Sequence, residues 1–185
     1  KFMSSPVWKI VIICLTVMTS HVAFSKYDTQ DEYILKAIFL ERFTRFVVFP
    51  VSHSKSPNFN LCVVNQSSFG QLLKQIYSQR KILNKPVRLL VDNTIQNWSE
   101  CHLLFIGNVD VNRLETILDA VKTLPILVVS GSIGFGNAGV MLNFYTDKKK
   151  LRFEVNLQAT QEAKIKLNYG LIQLGKKVGS LINRK

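Results

Sequence analysis

Four short, largely apolar runs constrain the fold more than any other feature: Phe59 to Asn65 (FNLCVVN), Pro86 to Val91, Cys101 to Ile106 (CHLLFI) and Ile126 to Val129. Runs of this length and composition are strands buried on both faces, which is the situation inside a parallel sheet. Between the first two, Ser67 to Tyr77 places Phe69, Leu72, Leu73 and Ile76 on one helical face. Between the last two, Val111 to Val121 is amphipathic in the same way. Strand then helix, repeated, predicts an α/β fold with a mostly parallel sheet sandwiched by helices.

The flanks of this core read differently. Asp28 can cap a helix from Thr29 to Val48, with Leu35, Phe39, Phe43 and Phe46 on its apolar stripe and Pro50 as its stop. Val140 to Tyr145 and Leu151 to Val155 are two strands joined by the charged turn Thr146-Asp147-Lys148-Lys149-Lys150, which predicts a β-hairpin on the sheet edge. Gln158 to Ile182 reads as C-terminal helix, since Leu167, Leu171, Leu174 and Val178 recur at helical spacing. With 185 residues, no repeat and no linker, residues 26–185 are expected to be a single α/β domain.

Residues 1–25 are expected to be a cleaved signal peptide. Lys1 and Lys9 form a basic region, Ile10 to Met18 an apolar core, and Ala23-Phe24-Ser25 puts small residues where cleavage before Lys26 needs them. A membrane span needs about 20 apolar residues, and Thr16, Thr19, Ser20 and His21 interrupt this stretch first. Removal of Lys1 and Lys9 lowers the net charge only from +12 to +10. An exported protein rarely meets nucleic acid, so anionic headgroups or an acidic membrane partner are the expected counterparts of this charge. From Tyr145 onward ten Lys and Arg face only Asp147, Glu154 and Glu162.

Chemistry-bearing motifs are few. Gly134-Phe135-Gly136-Asn137-Ala138-Gly139 is a literal GxGxxG, but a dinucleotide fingerprint needs a helix opening at the glycines, and here they lead into the strand Val140 to Phe144. A turn before the hairpin is the expected role. Cys62 lies in the first strand and Cys101 opens the third, which are frequent neighbours in a doubly wound sheet, and in an oxidising compartment a disulfide is their natural state. Metal binding is not expected, because His53 and His102 lack ligand spacing to the cysteines. No catalytic constellation is recognisable, no cofactor is expected, and His102 is expected to be structural. In Leu151-Arg152-Phe153-Glu154-Val155-Asn156, alternation turns Phe153 and Val155 to the core and puts Arg152, Glu154 and Asn156 on one polar face. That face is either a solvated edge or a recognition surface.

Four of these segments together resemble the YfiR-like family of periplasmic regulators: Leu35-Lys36-Ala37-Ile38-Phe39-Leu40 continuing to Phe49-Pro50; Leu61-Cys62-Val63; Cys101-His102-Leu103-Leu104-Phe105-Ile106; and Gly134 to Gly139 with Met141-Leu142-Asn143 and Arg152 to Leu157. Phe49 stands where the family usually has tryptophan. The resemblance spans Leu35 to Val178. It implies an α/β sandwich in the periplasm, a Cys62–Cys101 disulfide, and a non-catalytic repressor of an inner-membrane diguanylate cyclase, bound at the sensor domain, that lowers cyclic di-GMP output and biofilm formation. Some members carry a second cysteine pair where this chain has Gly136 and Asn143, so redox sensing through that bridge is absent here.

Arg152, Glu154 and Asn156, with the basic residues Lys164 and Lys166, are the expected partner-binding set, and self-association as a homodimer is compatible with it. The alternative is a periplasmic module that takes a small ligand at the carboxyl ends of the parallel strands and has no cyclase partner.

Overall fold

In the computed structural model of the chain, residues 29–49, 55–65, 67–92 and 95–179 are described. The expected leader, the Asp28 cap, His53 and the last residues of the expected C-terminal helix lie outside them. The strands are β1 (Val47–Val48), β2 (Phe59–Val64), β3 (Lys81–Ile82), β4 (Lys85–Val91), β5 (Leu103–Ile106), β6 (Leu127–Ser130), β7 (Leu142–Asp147), β8 (Lys150–Asn156), β9 (Lys166–Leu167) and β10 (Lys176–Val178). The helices are α1 (Thr29–Arg45), α2 (Ser67–Tyr77), α3 (Val111–Val121), α4 (Phe135–Ala138), α5 (Leu157–Glu162) and α6 (Tyr169–Leu174), and Trp98–Glu100 is a single 3-10 turn.

Among the described residues, eight strands form one sheet in the order β10-β8-β7-β6-β5-β2-β4-β3, and β1 and β9 form a separate ribbon. The pairs from β4 through β7 are parallel, as the apolar runs predict, while β7 and β8 form the antiparallel hairpin. The chain steps from β2 outward to β4, returns to β5 on the other flank of β2, and continues outward to β6 and β7. Two helices make these crossings on opposite faces. Phe69 of α2 packs edge-on to Phe105, 4.7 Å between centroids. Val128, whose side chain points the other way, lies with Leu118 and Val121 of α3. Asp110 caps α3 by accepting from the Arg113 N–H at 2.8 Å.

α1 lies beside α2. It carries Asp31 and Glu32 in its first turn and Arg42 and Arg45 in its last, as the helix dipole favours. It ends at Arg45 rather than Val48. Val47 and Val48 are β-branched, prefer extended backbone, and find a partner strand in Leu167 and Lys166.

Two further expectations are corrected. The hairpin is not the sheet edge, because β10 pairs in parallel outside β8, with Lys176, Lys177 and Val178 opposite Glu154, Val155 and Asn156. Residues 158–179 are not one helix either, but α5, β9, α6 and β10 in succession. Gly175 accounts for the last step. A Cβ there would fall 2.2 Å from Val155 Cγ2 and 2.7 Å from Phe153. The backbone therefore seats itself on the hairpin in a way that no other residue permits.

Tyr77 ties the two helices of one face together, donating its hydroxyl to the Ala37 carbonyl at 2.9 Å. Burial first, and the Glu41 carboxylate second, push its phenol above the ordinary value of 10.0. The native state thus holds this proton where the unfolded chain loses it. Stability from this source is complete below pH 10.0 and declines as pH rises beyond it. Tyr77→Phe is expected to lower stability by about 1 kcal/mol at neutral pH and to flatten the decline at alkaline pH, read as melting temperature against pH. An unchanged alkaline slope would remove Tyr77 from this account.

Candidate functional site

The hairpin builds its outer face by strict alternation. Phe144, Phe153 and Val155 turn inward and are buried. Tyr145 and Arg152 sit opposite each other on the outer face, as do Asn143 and Glu154. The turn is closed by Lys148 and Lys149, both in left-handed backbone at φ 46° and 63°, which is the twist that a two-residue hairpin requires. Arg152 reaches the Asp147 carboxylate at 3.2 Å, both side chains about half exposed, and not Glu154. Glu154 is more covered. It accepts from Asn143 Nδ2 at 3.1 Å and meets Lys176 Nζ of β10 at 3.5 Å. The same ammonium lies 5.7 Å from the Tyr145 ring centroid. Tyr145, Arg152, Glu154 and Lys176 thus form one polar row on the surface.

Asn156 is a correction to the expected set. It is 4% exposed, and its amide is turned to the chain itself: Nδ2 donates to the Gly136 carbonyl at 2.8 Å and Oδ1 caps α5 by accepting from the Ala159 N–H. It positions the glycine turn and α5 instead of standing on the outer row. Lys164 and Lys166 are exposed but stand on the β1–β9 ribbon, which belongs to a different sheet. The expected five residues are therefore divided: two on the hairpin row, one inside, two on the ribbon.

The glycine motif has a structural use. Gly134, with φ 84°, opens the one-turn helix α4, and Gly139, with φ 121°, closes it. A Cβ on Gly136 would lie 2.5 Å from Glu154 Oε2. Gly136 lets α4 press against β8 and props the row from beneath, a role that no local pattern announces. Lys176 and Tyr145 likewise went unread in the sequence; the alternation through Tyr145-Phe144-Asn143 was the signal for the latter.

Cys62 and Cys101 are joined by a disulfide with Cα atoms 5.8 Å apart, tying β2 to the loop that enters β5. His102 is buried. Its Nδ1 accepts from the Asn60 N–H at 3.0 Å and its ring stacks on Phe59 at 5.0 Å. Its place in the packing is structural.

Among the described residues, three of the clefts bear on the site. One, of about 350 Å³, lies between α3, α4 and α5. Two of about 380 Å³ each adjoin at the carboxyl ends of β5 and β6 and share Lys36, Gly131 and Ile133. Lys36 is buried there, paired with Glu32 at 2.6 Å. Among the described residues no group of three His, Cys, Asp or Glu is placed to hold a metal, and no helix is long and apolar enough to cross a membrane.

A protein-family model described as YfiR/HmsC-like covers residues 33–176. No curated protein matches the chain.

Proposed function

The chain belongs to the YfiR/HmsC-like family, and from that membership we propose that it is a periplasmic, non-catalytic regulator of cyclic di-GMP signalling that binds the sensor domain of an inner-membrane diguanylate cyclase and holds the cyclase inactive. The family match over residues 33–176 carries this reading. The disulfide agrees with an oxidising compartment, where such bridges persist. The polar row Tyr145, Arg152, Glu154 and Lys176 is the face we assign to the partner. Its exposed Arg152–Asp147 pair contributes little to stability by the usual measure of surface ion pairs, about 0–1 kcal/mol. A row that contributes so little to stability is available for recognition.

Affinity capture of the exported protein from solubilised inner membranes tests this. The expected result is recovery of a membrane protein with a diguanylate cyclase domain. Arg152→Glu should weaken that capture by about tenfold while leaving the melting temperature within a degree or two. High salt should weaken it as well. Recovery of no cyclase by a folded protein would overturn the repressor reading. Undiminished capture by Arg152→Glu would move the face elsewhere.

One observation favours a second reading, a small-ligand module without a cyclase partner. The adjoining clefts at the carboxyl ends of β5 and β6 stand where parallel sheets bind ligands. A metabolite that raises the melting temperature in a concentration-dependent way supports it; the absence of any such shift across a metabolite panel counts against it.

A further inference from the structure

The β1–β9 ribbon presents an outer face that the hairpin row does not explain. Its register places Val48 opposite Lys166 and Val47 opposite Leu167. The Asn168 N–H donates to the Phe46 carbonyl at 2.8 Å, extending the pairing by one step. Side chains opposite one another across an antiparallel pair share a face. Val47 is buried, and so are Ala163 and Ile165 ahead of β9. The other side of the ribbon is exposed: Phe46 at 38%, Val48 at 64%, and Lys164 and Lys166 in the open. Tyr169, next after Asn168, is 72% exposed. At the end of α1, Arg42 and Arg45 are exposed beside Phe46.

Two apolar side chains in water, Phe46 and Val48, with cations on the same ribbon and helix end, need a counterpart. Two acidic groups offset part of that charge: Glu41 pairs with Arg45 at 2.6 Å, and Glu162, accepting from Gln158 at 3.1 Å, stays negative, so the four cations keep an excess of two. The patch is also not a socket: Phe46, Val48, Tyr169, Lys164 and Lys166 line none of the three clefts. A protein partner that seats hot-spot side chains requires pockets. A lipid surface requires only apolar groups that can enter the headgroup layer and cations to face its phosphates.

We propose that the outer face of the β1–β9 ribbon, Phe46 and Val48 with Arg42, Lys164 and Lys166, is a contact surface for anionic phospholipid headgroups. It holds the protein at the membrane surface and leaves the hairpin row, on another sheet, free for a protein. The inference rests on exposure and charge and does not depend on the cyclase reading.

Sedimentation with protein-free vesicles of phosphatidylcholine, with and without phosphatidylglycerol, tests it. Every variant is used as the chain from Lys26 onward, which is what the expected cleavage leaves. Co-sedimentation is expected with the anionic vesicles, falling about fivefold for each of Lys164→Gln and Lys166→Gln, since each cation near such a surface contributes about that factor. The pair Phe46→Ser with Val48→Thr should abolish it, with the melting temperature preserved because both side chains are exposed. Equal binding to neutral vesicles, or binding untouched by these substitutions, would overturn the proposal. So would recruitment by native membranes only, with none by protein-free vesicles, which would make the ribbon a protein-docking face. Cyclase capture is a separate readout, so failure of one assignment leaves the other standing.

Discussion

Phe43→Ala lowers the unfolding free energy by about 3–5 kcal/mol, the range for truncating a buried phenylalanine. Phe43 is 1% exposed and stands at the centre of an aromatic cluster. It stacks on Phe144 at 5.4 Å, meets Phe153 edge-on at 5.0 Å and Phe39 at 5.8 Å. Truncation removes the transfer free energy of the ring, leaves a cavity that a close-packed core fills poorly, and dissolves three aromatic pairs. For a domain of this size the melting temperature falls by about 10 °C. Phe46, three residues further on and just past the end of α1, is the control. It is 38% exposed, and Phe46→Ala should stay within about 0.5 kcal/mol, as exposed positions do. Equal urea midpoints for the two variants would show that the cluster does not hold α1 to the hairpin. The consequence reaches the site, because Phe153 lies between Arg152 and Glu154 in β8. Loosening its inward anchor blurs the outward row, so a folded remnant of Phe43→Ala should also bind its partner less well.

Much of this architecture was legible because its signals are local. Short continuous apolar runs gave β2, β4, β5 and β6, and 3.6-residue spacing gave α2 and α3 with the observed limits. The disulfide was legible because Cys62 lies in β2 and Cys101 just ahead of β5, two strands that the rhythm makes neighbours. What escaped is non-local. Leu167, Leu171 and Leu174 share a helical stripe, yet Leu171 is buried and Leu174 is 74% exposed. The stripe lost to two distant partners. Val47 and Val48 draw Lys166–Leu167 into a ribbon, and Val155 with Phe153 receives Gly175, so that β10 can follow. Neither partner is visible from inside the segment. The site divides along the same line. Alternation placed Arg152 and Glu154 outward correctly, but the fate of Asn156 depends on the Gly136 carbonyl and on the start of α5, both set by tertiary placement. Lys176 joins the row only because β10 pairs with β8.

Replacing both Cys62 and Cys101 by alanine costs about 4 kcal/mol, the loop-entropy value for a crosslink closing this separation of 39 residues. The bridge ties β2, at the centre of the sheet, to the loop that enters β5. The unfolded chain without it gains the freedom of the whole segment carrying α2, β3 and β4. Both cysteines are fully buried, so alanine adds a packing loss that reduction alone does not. Urea unfolding with and without reductant separates the two contributions. The wild-type midpoint should drop sharply under reductant, and the double-alanine midpoint should not move. A wild-type midpoint unaffected by reductant, with reduction confirmed by thiol titration, would show that the bridge does not limit unfolding. Cys62 alternates with Leu61 and Val63 and points to the α3 side, whereas Phe43 packs on the opposite face. Sites so separated add nearly independently. Combining both cysteine substitutions with Phe43→Ala should therefore remove about 8 kcal/mol, within the whole stability of about 5–15 kcal/mol expected of a native domain. The combined variant should show a urea midpoint lowered by the sum of the two parents' shifts, and a shift clearly smaller or larger than that sum would show that the two faces of the sheet are coupled.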